Sequence, residues 1–164
     1  MEVKRSDFLQ GKFSSGSAVT RPPWAITESK FQDVCTGCDY CIVACPTSIL
    51  KKARGGYPVV DFSKSQCTFC GECAKVCKPG AISRDNAAHP WDHIVTANSS
   101  CLFSSGVTCR LCGDCCDTAA ITFQLAIGGK ATPIIDSSRC TGCGACVAPC
   151  PVNAIQILME EVRT

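Results

Sequence analysis

Three stretches of this chain repeat one cysteine spacing, C-x2-C-x2-C-x3-C, and few folds can accommodate that. They are Cys35, Cys38, Cys41 and Cys45; Cys67, Cys70, Cys73 and Cys77; and Cys140, Cys143, Cys146 and Cys150. Seventeen of the 164 residues are cysteine, a density that leaves a disulfide framework or a metal protein. The disulfide reading suits a secreted chain with an even cysteine count. This count is odd, and no signal peptide precedes the clusters. Cysteines clustered this closely and regularly read as metal ligands.

The third cluster, between residues 99 and 121, is irregular and holds five cysteines. A second ruler fixes its register. After the last cysteine of each regular run, CPTSIL, CKPGAI and CPVNAI return to an apolar pair at the fourth and fifth positions. In CDTAAI the pair Ala120-Ile121 falls in register only if Cys116 is the fourth ligand. Cys112 and Cys109 then follow the spacing backwards, and the first ligand, expected where Gly106 stands, becomes Cys101 upstream. The rival set Cys109, Cys112 and Cys115 keeps the x2-x2 spacing but places Ala119 where a fourth ligand belongs. The ruler favours C101-x7-C109-x2-C112-x3-C116 and leaves Cys115 spare. It reads as a buried apolar thiol, with a substitute ligand or an exchange thiol as the other roles open to it.

A [4Fe–4S] cube needs four thiolates around it. Three from a tight x2-x2 loop hold one face, and in two-cluster ferredoxins the run donates its fourth cysteine to the other cluster. Applied here, the first site takes Cys35, Cys38, Cys41 and Cys77, and the second takes Cys67, Cys70, Cys73 and Cys45. The third takes Cys101, Cys109, Cys112 and Cys150, and the fourth takes Cys140, Cys143, Cys146 and Cys116. Sixteen cysteines thus serve four [4Fe–4S] clusters. Zinc also accepts four thiolates, but structural zinc sites group them as separated pairs instead of runs of four.

The chain also reads as a duplication. GGYPVVDFSKSQC and GGKATPIIDSSRC precede the second and fourth motifs, each reading as a short strand entering a loop; Cys35 to Cys109 is 74 residues and Cys67 to Cys140 is 73. The expected fold is α+β: a duplicated bacterial two-[4Fe–4S] ferredoxin-like module, with short strands and helices around four clusters. The expected divisions are an N-terminal extension (1–30), a first module (31–82), a joint (83–98) and a second module (99–164). Gly37, Gly71, Gly113, Gly142 and Gly144 lie inside the ligand loops, where the backbone bends sharply. Few large apolar residues remain for either core, so the clusters are expected to hold the fold together and the apo chain to be largely unfolded.

Several functions are disfavoured. The formal charge of +2 gives no reason to expect nucleic acid, and four oxidised clusters of 2− each turn it into roughly −6. The short basic run Lys51, Lys52 and Arg54 reads as a solvated loop. His89 and His93 are the only histidines; no phosphate loop, nucleotide-binding glycine pattern or nucleophile setting is present, so no catalytic residue is assigned and no enzyme activity is expected. No stretch approaches the roughly 18 apolar residues of a membrane span. The basic pair Lys4-Arg5 is followed by GKFSSGSAVTRPPW, polar and proline-broken, which does not suit an export signal, so a cytoplasmic location is expected.

The widened third motif, the opening KRSDFLQGKF, RPPW at residues 21–24, GGYP at 55–58 and PWDH around Trp91 together resemble the NapF-type ferredoxins of the periplasmic nitrate reductase system, over nearly the whole chain. Two positions depart from the pattern: Lys78 and Asp117 replace the proline usual after a fourth cysteine. The resemblance implies a cytoplasmic accessory protein that binds the molybdenum-containing catalytic subunit before its export and helps it acquire or keep its own [4Fe–4S] cluster, with residues 1 to 30 and the segment around Trp91 as the binding parts. A general electron carrier passing single electrons to a redox enzyme is the alternative. The irregular Cys101 site is the candidate for a labile, transferable cluster. Replacing Cys101 by alanine is therefore expected to lower the iron and sulfide content of the purified protein; a full complement would rule Cys101 out as a ligand.

Overall fold

Three of the four cysteine motifs carry a one-turn helix, and the fourth, residues 140–150, passes through turns instead. Residues 19–86, 89–91, 93–125 and 131–159 are described in a computed structural model of the chain; KRSDFLQGKF and the Gly128-Gly129 pair lie outside them. The first helix among the described residues, α1 (Glu28–Val34), precedes the first motif. Three helices of four residues follow within the motifs: α2 (Tyr40–Val43), α3 (Glu72–Lys75) and α4 (Leu111–Asp114). In each, the second residue is a buried cysteine, namely Cys41, Cys73 and Cys112. The chain reaches α2 and α3 through a left-handed residue, Asp39 (φ 64°) or Gly71 (φ 80°), which reverses it between the second and third cysteines. In the irregular motif Arg110 stands there at φ −129°. Its missing turn is the local counterpart of the widened gap.

The four repeats also leave their last cysteine in one way. Three residues on, the backbone turns left-handed at Ser48 (φ 54°), Gly80 (φ 78°), Ala119 (φ 48°) and Asn153 (φ 49°). Two residues later comes Leu50, Ile82, Ile121 or Ile155, where a strand starts or, at Ile82, a single bridge forms. This equivalence places Cys116, not Cys115, level with Cys45, Cys77 and Cys150.

The strands form three antiparallel pairs. In the first half β1 (Leu50–Lys52) pairs with β2 (Pro58–Val60), Leu50 opposite Val60. In the second half β4 (Ile121–Leu125) pairs with β5 (Ala131–Ile135), Ile121 opposite Ile135. Both hairpins link one motif to the next, and the expected strands PVV and ATPII are β2 and β5. The third pair joins β3 (His93–Ala97) to β6 (Ile155–Met159), Val95 opposite Ile157. Its counterpart in the first half is the single bridge between Ala25 and Ile82. Residues 93–97, read from sequence as part of a joint, are thus a strand of the second repeat. Residues 19–30 are likewise folded onto the first repeat, with Trp24 donating its amide to the Pro90 carbonyl (2.6 Å) and Ile26 to Ala81 (3.0 Å).

Two small cores result. One gathers Phe31, Ile49, Leu50, Phe62, Ala81 and Ile82 around Cys41 and Cys73. The other gathers Val95, Ala120, Ile121 and Ile155 around Cys112, Cys140 and Cys146. Val147 and Ile157 pack against both, so the halves share an apolar seam. Among the described residues no helix is long and apolar enough to cross a membrane. Phe31 of α1 is fully buried and stands edge-on to Tyr57 (6.4 Å) beside the first hairpin. Phe31→Ala is expected to cost roughly 3–5 kcal/mol, seen as faster bleaching of the iron–sulfur absorbance on heating.

Candidate metal centres

Loop geometry brings the thiols of the first half together. Burial, then repulsion by Cys35, Cys73, Cys77 and Cys38, pushes the Cys41 thiol up to about 12. Burial, then Cys67, Cys70 and Cys45, pushes Cys73 to about 12. Cys67 reaches about 11, chiefly by burial, with Cys45 and Cys70 the leading charged neighbours. Cys41 thus stands among the other three members of the first set, with Cys73 of the second set beside it. Cys45, Cys67, Cys70 and Cys73, the whole second set, line one cavity together with Trp24 and Phe69.

In the second half the same forces act on two sulfurs. Burial, then Cys101 and Cys109, pushes Cys112 to about 11. Burial, then Cys143 and Cys140, with a smaller effect of Cys112, pushes Cys146 to about 12. Cys101 has thus come within reach of Cys112 across its seven-residue gap, by way of a 3-10 turn at Phe103–Ser105 that ends in left-handed Gly106 (φ 82°). Cys116 and Cys150 pack against the core that holds Cys112, Cys140 and Cys146. Cys115 corrects the sequence reading: it is exposed, at the C-cap of the one-turn helix α4.

The cysteine-independent ruler turns out to be a sulfur-binding device. Cys77, Cys116 and Cys150 each accept a backbone N–H from the segment just beyond, from Ile82 (3.3 Å), Ala120 (3.3 Å) and Ala154 (3.2 Å). Thr47 and Thr118 add a hydroxyl contact to Cys45 (3.6 Å) and Cys116 (3.5 Å). Burial works against ionisation at both of those sulfurs, yet the hydroxyl and the amides of the residues beyond outweigh it and hold both thiols below the usual range. The left-handed residue at the third position aims these amides back at the sulfur.

These donor sets fit a [4Fe–4S] cluster. Thiolates that face one another in buried cradles repel, and the positive iron core supplies the compensating charge. Amides aimed at ligand sulfurs serve the same end. Among the described residues no three Cys, His, Asp or Glu side chains close to single-ion spacing. Cys45, Cys67, Cys70 and Cys73, which line one cavity, stand around it as the ligands of a cube would.

Residues between the motifs are engaged in the fold. Arg21 makes a two-point ion pair with Glu28 (2.6 and 2.7 Å), donates to the Pro58 carbonyl (3.0 Å) and lies over the Phe31 ring (4.9 Å). Arg84 lies over buried Trp24 (4.8 Å) and donates to the Phe69 carbonyl (3.1 Å). Lys51 and Lys52 stand on β1 instead of in a loop, Lys52 paired with Asp39 at 2.7 Å. Gly37, Gly71, Gly142 and Gly144 turn left-handed within the loops, whereas Gly113 sits within α4, where an added Cβ would lie 2.5 Å from the Phe123 ring. Its smallness serves packing, not bending.

Comparison with known proteins agrees with this chemistry. Residues 34–82 match a 4Fe-4S dicluster domain and residues 133–156 a 4Fe-4S binding domain; the irregular Cys101–Cys116 stretch falls between them. Over 155 residues the chain is 41% identical to the ferredoxin-type protein NapF of Escherichia coli (strain K12), covering 94% of each. To the NapF of Haemophilus influenzae it is 43% identical over 164 aligned residues, covering 93% of this chain and 92% of that one. A more distant relative is the methylamine utilization ferredoxin-type protein MauM of Methylorubrum extorquens, 30% identical over 94% of this chain and 79% of its own length. [4Fe–4S] clusters are the cofactor.

Hydrogen bonds to ligand sulfur stabilise the more negative, reduced state. Thr118→Val is expected to lower the reduction potential of one centre in a redox titration. Cys115→Ser is expected to leave both iron content and potentials unchanged.

Proposed function

Because the chain belongs to the NapF family of ferredoxin-type proteins, we propose that it holds four [4Fe–4S] clusters and serves in the cytoplasm as an accessory protein for the catalytic molybdoenzyme subunit of the periplasmic nitrate reductase. In this reading it binds the precursor before export and assists assembly or loading of that subunit's own cluster. The ligands are the four sets Cys35/Cys38/Cys41/Cys77, Cys67/Cys70/Cys73/Cys45, Cys101/Cys109/Cys112/Cys150 and Cys140/Cys143/Cys146/Cys116. The first module ends near Ile82, and the second is closed by β3 and β6. When bound, the clusters supply reversible one-electron storage.

The chain's own residues hold thiolates at fixed separation, aim amides at their sulfurs and keep water from Cys41, Cys73 and Cys146. None of this makes or breaks a bond in a substrate. The observation that carries the reading is the kinship itself, at 41–43% identity over more than nine-tenths of the chain, well beyond what the cysteine motifs span. The second reading, a general electron carrier, is favoured by the close approach of Cys67 to Cys143 between the halves.

The two readings part at the partner. Tagged holo protein would be pulled down anaerobically from cytoplasm in which export of the nitrate reductase is blocked, and the captured proteins identified by mass spectrometry. Capture of the catalytic-subunit precursor, lost when residues 2–18 are deleted, is the expected result. That truncation spares Arg21 and Trp24, which the fold needs. Capture of general redox proteins alone would favour the carrier.

A further inference from the structure

We infer that the four sites form one unbranched series, first–second–fourth–third, joined between the halves by the hydrogen bond from the Cys67 amide to the Cys143 carbonyl. The inference rests on the ligand sets proposed above. It adds an order that neither the repeats nor the family kinship contains, since two duplicated modules can abut through any pair of their sites.

Three contacts define the order. Within the first half, Cys41 of the first site and Cys73 of the second are buried in one core, on the one-turn helices α2 and α3. Within the second half, Cys112 of the third site and Cys146 of the fourth are buried together in the other core. Between the halves, Cys67 N–H reaches Cys143 C=O at 2.9 Å, and these residues belong to the second and fourth sites. The leading thiolate neighbours of Cys41 all lie in the first half, whereas Cys67 counts Cys143 among its own. The second site therefore faces the other module, and the first lies behind it.

The junction is built, not incidental. Trp91 donates its indole N–H to the Thr141 carbonyl (2.9 Å) and stands edge-on to Phe62 (5.9 Å) and Phe69 (5.7 Å), each within a few residues of a junction cysteine. An added Cβ on Gly142 would lie 2.6 Å from the His93 carbonyl oxygen, and one on Gly144 would run into the Phe62 ring. Both glycines flank Cys143: Gly144 keeps its loop bare where Phe62 of the first half docks, and Gly142 where His93 of β3 and Trp91 pass. From Cys67 Sγ the path runs through Cβ, Cα and N–H, across one hydrogen bond to the Cys143 carbonyl, then through Cα and Cβ to its Sγ. With clusters bound, transfer along it would oxidise one site by one electron and reduce the next by one, with no bond broken and no proton moved.

The test uses full-length holo protein, assayed first for iron and sulfide and then fully reduced with dithionite for electron paramagnetic resonance. In the intact protein all four centres should relax as one interacting set. Removing the second site with Cys70→Ser should leave the first centre magnetically isolated. Removing the third with Cys109→Ser should leave the other three coupled. Trp91→Ala, which removes no ligand, should weaken coupling between the halves at full iron content, and it stands in for Cys70→Ser if that variant fails to load. Two independent pairs in the intact protein, or a first centre still coupled to the fourth after Cys70→Ser, would overturn the order. Iron short of four clusters in the intact protein would overturn the ligand sets and the series with them, and the iron assay reports that failure before any spectrum is taken.

Discussion

Sulfur must be anionic to bind iron, and burial opposes the anion; this conflict organises the rest of the molecule. Cys41, Cys73 and Cys146 are pushed to about 12 by burial and by the cysteines around each. An apo chain at neutral pH therefore keeps these thiols protonated, and loading must drive the protons off. Few large side chains share the work of holding the cores: among the described residues Phe31 and Ile82 are the ones most fully withdrawn from water, with Ile49, Leu50 and Phe62 close behind. The cofactor acts here as the centre of each core as well as a redox group, and the short elements around it are shaped to present sulfurs.

Much of that shaping was legible in the sequence, and the structure explains why. The apolar pair after each fourth cysteine recurs because its backbone amides point at the sulfur and its side chains open a strand or bridge. The four left-handed residues Ser48, Gly80, Ala119 and Asn153 are the hinge that makes both possible. Only one of them is glycine, so no residue-type pattern marks the hinge. Its position survives even where the cysteine spacing does not, and so the register of Cys116 could be read from one irregular motif.

Other features escaped because they depend on distant partners. The strand at 93–97 looks like a linker, since its partner lies some sixty residues away at Ile155–Met159. Arg21 and Trp24 resemble a recognition tag until Glu28, Tyr57 and Arg84 are seen around them. Cys115 was expected inside because cysteine usually is, but its place at the end of a single helical turn decides otherwise. Gly113 resembled the loop glycines and answers to Phe123 instead.

The late position of β6 sets a schedule for assembly. A chain leaving the ribosome at ~5–20 residues per second presents Cys77 and Ile82, the last parts the first module needs, well before Met159 completes the pairing that closes the second. The interval from Ile82 to Met159 is roughly 4–15 s at that rate. During it the first two cradles can accept iron while the Phe62 ring that will meet Gly144 is still bare. Delivery of iron in the cell would then run from the N-terminal half to the C-terminal half, and the irregular Cys101 site, which waits for Cys150, would be among the last to fill.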